Sequence, residues 1–172
     1  MAIGETVGRL DFYHEKIGFL VKTMVSTVMN KEVSTDVQLT GSCYCQQVKY
    51  KICGPANANY LCHCEQCRKF TGSAHAANMQ IKSSFVQFTE GEECISTFSC
   101  PSGRAFSKAF CKVCGSGLPF VGQSGEYMYV PIGGLDKAPD SIINYNIFWE
   151  DRANWYDAAL EQPTCEGFPP TT

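Results

Sequence analysis

Seven of the chain's eleven cysteines fall into three clusters. "GSCYCQQ" carries Cys43 and Cys45, "LCHCEQCRKF" carries Cys62, Cys64 and Cys67, and "FCKVCGSGLPF" carries Cys111 and Cys114 followed by Gly115. Closely spaced thiols in a reduced protein suit zinc, which takes four protein ligands in a structural site and usually three in a catalytic one. A C-x-x-C-G turn is a common zinc knuckle, and its glycine is expected to relieve crowding where the sulfurs converge. Two cysteine pairs make one closed four-thiolate site. The division that leaves the triplet intact puts Cys43, Cys45, Cys111 and Cys114 on one zinc, although spacing alone also allows other divisions. Cys53, Cys94, Cys100 and Cys165 stand singly, as small buried hydrophobes often do. Any of them, or His63 inside the triplet, is a candidate fourth ligand for Cys62, Cys64 and Cys67. Against His63, side chains at neighbouring positions point apart on most backbones.

Three thiolates around one zinc carry a formal charge of −1 and make a poorer Lewis acid than three neutral imidazoles. Soft surroundings of this kind suit exchange of an incoming thiolate, because a coordinating thiol is deprotonated outright. The chemistry implied is the making or breaking of a bond to a thiolate sulfur. An anionic substrate there needs cations. Arg68 and Lys69 follow the triplet directly, while Arg104, Lys108 and Arg152 lie near other clusters and read as solvated surface charges. Ser73 and His75 follow the Thr71-Gly72 step, and His75 has an unperturbed pKa suited to proton transfer. Trp155 and Tyr156 are candidate pocket walls.

Compartment decides whether eleven cysteines are ligands or disulfides. The N-terminal stretch lacks a signal-peptide layout, and its longest uncharged run, Met24 to Asn30, is far too short for a membrane span. A cytoplasmic protein with reduced thiols is the expectation. The net charge is −3 and no block of Lys or Arg stands out, which argues against a nucleic-acid partner. No membrane partner is expected either.

The elements that must position these residues read as mainly β. At 172 residues the chain suits one domain with an appendage. In residues 1–35, Phe12, Ile17, Leu20, Val21, Met24, Val25 and Val28 recur at helical spacing. This predicts an N-terminal helical arm, packed on the domain or on a second subunit in a homodimer. From there residues 36–172 form the predicted β domain. Val48, Tyr50 and Ile52 alternate with polar neighbours, and further candidate strands are 74–81, 84–89, 94–99, 104–111, 117–122, 127–133 and 144–149. "CEQCRKF" reads as a helical turn and the Pro-rich tail as irregular.

In order and spacing, "GSCYCQQVKY", "CHCEQCRKFTGSAHAANM", "FCKVCGSGLPF", "IGGLD" and "NIFWEDRANW" resemble the glutathione-dependent formaldehyde-activating enzyme (GFA) family, whose domain is shared with a centromere protein. The resemblance runs from about residue 39 to 168. It implies a β-tent type fold of several short antiparallel sheets and two zinc ions per chain. It places a structural zinc on Cys43, Cys45, Cys111 and Cys114 and a catalytic zinc on Cys62, Cys64 and Cys67. Arg68 and His75, read from their own type and position, are further catalytic candidates. The implied activity is a carbon–sulfur lyase acting on a glutathione-derived thiol adduct of formaldehyde or a related carbonyl.

Four features depart from the family pattern: the long arm, Asn146 where many members carry His, Asn154 where many carry Pro, and the run after Leu135-Asp136. The arm, Asn146 and Asn154 favour a second reading, in which the same open zinc acts on another small molecule such as a biosynthetic intermediate. A third reading is a non-catalytic zinc module that binds a partner. The intact triplet favours an enzyme.

Overall fold

The computed structural model describes residues 38–100, 106–140 and 143–169. The predicted helical arm and its homodimer surface lie outside the described residues, as does Arg104.

The described chain is mainly β, built of three short sheets. In the first, β1 (Gln38–Ser42), β2 (Lys49–Cys53) and β5 (Val86–Glu90) lie side by side and antiparallel. Tyr50 and Ile52 point into the core and Lys51 to solvent, as the alternation requires. The second sheet runs in the order β11 (Tyr145–Ile147), β3 (Ala58–Cys62), β4 (Ala76–Lys82), β10 (Tyr127–Pro131), β9 (Phe120–Val121). The third contains β6 (Ile95–Ser99), β7 (Ser107–Cys111) and β8 (Gly117–Leu118).

Several details differ from the sequence reading. The pairing is not wholly antiparallel: β11 runs parallel to β3, with Tyr145 opposite Tyr60 and Ile147 opposite Cys62. A long excursion separates the two strands, which a parallel pair needs. The candidate strand 117–122 splits at buried Pro119 into β8 and β9, which join different sheets. Proline has no N–H for a ladder, so the break falls there. Strand β3 is not apparent in the sequence, since "ANYLC" has no β-branched residue, yet it sits between two partners in the second sheet. Packing outweighs intrinsic preference at such a position.

Two buried clusters follow from this layout. The main core joins Val48, Tyr50, Ile52, Met79, Ile81, Leu118 and Val130 with Cys43 and Cys111. A smaller one gathers Cys62, Cys64, Cys67 and Ala76, with Tyr60, Phe106 and Ile147 against it.

Candidate functional site

The two cysteine groups that form in space are Cys43, Cys45, Cys111 and Cys114, and separately Cys62, Cys64 and Cys67; within each, the Sγ atoms lie within 4.8 Å of one another. Spacing alone left this division open, and folding brings the first and third clusters together. Cys53, Cys94, Cys100, Cys165 and the histidines join neither group among the described residues.

The tetrad is built from two tight loops. After β1 the chain folds back, with Cys43 N donating to Val48 O at 3.0 Å and Val48 N donating to Cys43 Sγ at 3.3 Å. At the second loop Gly115 N donates to Cys111 O at 2.8 Å. Gly115 has φ 76°, and a Cβ there would meet nothing within 4 Å. Its glycine therefore serves the left-handed backbone and not, as the sequence suggests, relief of crowding. Cys114 is held down to about 5, chiefly by Ser116, whose Oγ lies 3.3 Å from its sulfur. Thiols with these contacts suit a soft divalent cation such as zinc.

The triad is assembled differently. Cys62 ends β3, Cys64 caps the short helix Glu65–Thr71, and Cys67 lies on that helix facing inward. The helix stops at Gly72, whose φ of 63° suits a left-handed cap and whose N–H donates to Arg68 O. Cys62 and Cys64 sulfurs are 3.6 Å apart. The Cys62 thiol is pushed down to about 6, first by its hydrogen bond with Cys67, with Cys64 and Lys108 adding to the effect; the same bond pushes Cys67 up.

The three sulfurs open onto a cavity of about 340 Å³ that is also lined by Tyr60, Asn78, Phe106, Lys108, Phe120 and Tyr129. Lys108 is 5% exposed, so it is no surface charge. Burial lowers its pKa, opposed by Cys67, Cys62 and Cys64. It stands on β7 between Phe106 and Phe110, a lysine at two-residue spacing between aromatic neighbours. That alternation was the available signal, because strand residues two apart share a face.

Other sequence candidates sit elsewhere. Arg68 turns away from the cavity lining and its Nε donates to His63 O at 3.1 Å. His75 lines a second, larger cleft of about 660 Å³, not the triad cavity. Its ring lies 5.3 Å from that of His63 and 5.7 Å from that of Tyr156, and burial, then His63, lowers its pKa. Ser73 is exposed and absent from both linings. Trp155 is mostly exposed and Tyr156 packs on the two histidines, so neither walls the triad cavity. Arg152 pairs with Asp157 at 3.0 Å and stacks 4.5 Å over Trp149. His63 is fully buried, and its Nε2 lies 3.0 Å from Asn146 Oδ1.

The larger cleft shares Asn78 and Lys108 with the triad cavity. Its rim is fixed to β1 by Asp136, which accepts from Thr40 Oγ1 at 2.6 Å and whose N–H donates to Thr40 O. No described helix is long and apolar enough to cross a membrane.

A family model described as glutathione-dependent formaldehyde-activating enzyme matches residues 38–151. No curated protein sequence matches the chain. A crystal structure of a Rhodobacter sphaeroides protein is similar over 59% of this chain and 91% of that one, at 20% identity and a TM-score of 0.49. The family match covers both cysteine groups and well over half the residues, and so the chain belongs to the glutathione-dependent formaldehyde-activating enzyme family.

Proposed function

We propose that the protein is a zinc-dependent carbon–sulfur lyase acting on a thiol adduct of formaldehyde or a related carbonyl, with a glutathione-derived thiol as the leading candidate. One observation carries this reading: three buried thiols, with no fourth Cys, His, Asp or Glu beside them among the described residues, face a cavity large enough for a small molecule. The donor set fits zinc on both groups. Cys43, Cys45, Cys111 and Cys114 would hold a structural ion and Cys62, Cys64 and Cys67 a reactive one. A zinc held by the triad supplies a soft cation that keeps an incoming thiol deprotonated.

The chain's own residues do the rest. Cys62, Cys64 and Cys67 fix where the substrate sulfur lies, at the end of β3 and the first turn of the helix. Phe106, Phe120 and Tyr60 cover the cavity with apolar surface, which restricts water around the reacting carbon. In the forward direction the substrate thiolate forms a bond to the aldehyde carbon, and the carbonyl oxygen takes up a proton. In reverse, that oxygen loses the proton, the carbon–sulfur bond breaks, and thiolate and aldehyde leave. No residue is assigned as the proton carrier, since His75 lies outside the cavity lining.

The test follows S-hydroxymethylglutathione by NMR with zinc-loaded protein. Wild type should speed its formation and breakdown, and Cys64→Ser should lose at least about a hundredfold, in keeping with loss of an essential metal ligand. Equal rates in the two proteins would overturn the reading.

A further inference from the structure

Lys108 is the one cation lining the triad cavity among the described residues. Its Nζ lies 4.1 Å from the centroid of the Phe120 ring, 5.6 Å from Phe106 and 5.7 Å from Phe70. These rings hold an ammonium by their negative faces. Among the described residues no carboxylate lies within ion-pair distance of it. Lys108 lines that cavity together with Cys62, Cys64 and Cys67.

A cation taken out of water needs a compensating charge. With a divalent ion on the triad, the sulfur site would supply that charge. Three thiolates on a divalent ion sum to −1, and a fourth thiolate makes −2, whereas water or imidazole leaves the sum at −1. A neighbouring cation in a place of low dielectric therefore favours the added anion over a neutral ligand. Arg68 does not share this role, because its Nε is engaged by His63 O and it does not line the cavity.

We propose that Lys108 is a specificity-determining residue that makes the triad select an anionic, thiolate-class ligand over a neutral one. This rests on the proposed reading of the triad as the reactive site. It adds that the choice of substrate class is made by a residue of β7, three positions before a ligand of the other cysteine group.

The experiment measures binding of two probes, 2-mercaptoethanol and imidazole, to zinc-loaded full-length protein by calorimetry at pH 7. Metal content is determined for each variant. Lys108→Met should weaken 2-mercaptoethanol about tenfold or more, equivalent to about 1.4 kcal/mol, while imidazole binding stays equal or tightens. Lys108→Arg should restore the preference for the thiol. Lys108→Gln serves as the neutral variant if Met does not fold. A merely structural lysine would shift both probes together, and that result overturns the inference. Equal thiol binding in wild type and the neutral variant overturns it too, while leaving the lyase reading standing. A wild type that takes up imidazole and no thiol overturns both.

Discussion

His63 Nε2 and Asn146 Oδ1 lie 3.0 Å apart, tying the middle of the triad sequence to the edge strand β11. A second bond runs alongside, from His63 N to Ile147 O at 3.0 Å. Asn146 is the position where many family members carry His, and here it serves a buried histidine instead of the cavity. His63 Nδ1 has no hydrogen-bond partner among the described residues, so Asn146 supplies the ring's named polar contact. Asn146→Ala should cost about 1 kcal/mol, seen as a fall of about 3 °C in a thermal melt. A melt unchanged from wild type would show that the bond contributes nothing to stability.

The closed tetrad and the three-cysteine triad should hold metal with different tenacity. Protein prepared under reducing, zinc-replete conditions should contain close to two zinc per chain, and a chelator should remove one of them first. Elemental analysis along a chelator titration checks this. A reproducible content near one would remove the two-site reading.

Cys43 and Cys111 belong to the main core, whereas Cys62, Cys64 and Cys67 form a separate small cluster. Loss of a tetrad ligand should therefore be a folding defect. Cys111→Ser should unfold or precipitate, because structural zinc contributes on the order of 10 kcal/mol to folding. Cys64→Ser should give a folded protein lacking the labile metal. Melts and circular dichroism of the two variants should differ sharply, and matching behaviour would contradict the division of roles.

Acid should weaken the fold through His75. Its folded pKa is lowered from 6.5 by burial first and by His63 second. Below 6.5 the unfolded chain then binds more protons than the folded one. Stability is present above 6.5 and is lost as pH falls through 6.5 toward the lowered folded value. Denaturation midpoints measured between pH 7.5 and pH 5 should show that slope, and His75→Gln should flatten it. An identical slope in the variant would assign the acid sensitivity to other groups.

Much of the site is local and was legible. Ligand types follow from thiol chemistry, and C-x-C and C-x-x-C spacing fixes which sulfurs share a loop. The strand alternation of Tyr50 and Ile52 and the turn at "CEQCRKF" are likewise short-range patterns. The roles expected of Trp155 and Tyr156 did not follow from their type, because an aromatic side chain is equally at home in packing, and Tyr156 lies against His63 and His75.

What the sequence by itself determined was the inventory: seven clustered thiols, a mainly β chain to carry them, and a pattern that marks the family. Spacing left open which sulfurs meet and the family resemblance implied the division; the tertiary structure shows it, because Cys43 and Cys111 are far apart in the chain and converge in a shared core. It also decided the fate of the charges. Lys108 and Arg68 are both basic residues near cysteines, yet β7 packs Lys108 among aromatic rings beside the triad while the helix turns Arg68 onto a backbone carbonyl. Burial depends on which surfaces cover a residue, and those surfaces come from distant segments that no local window contains.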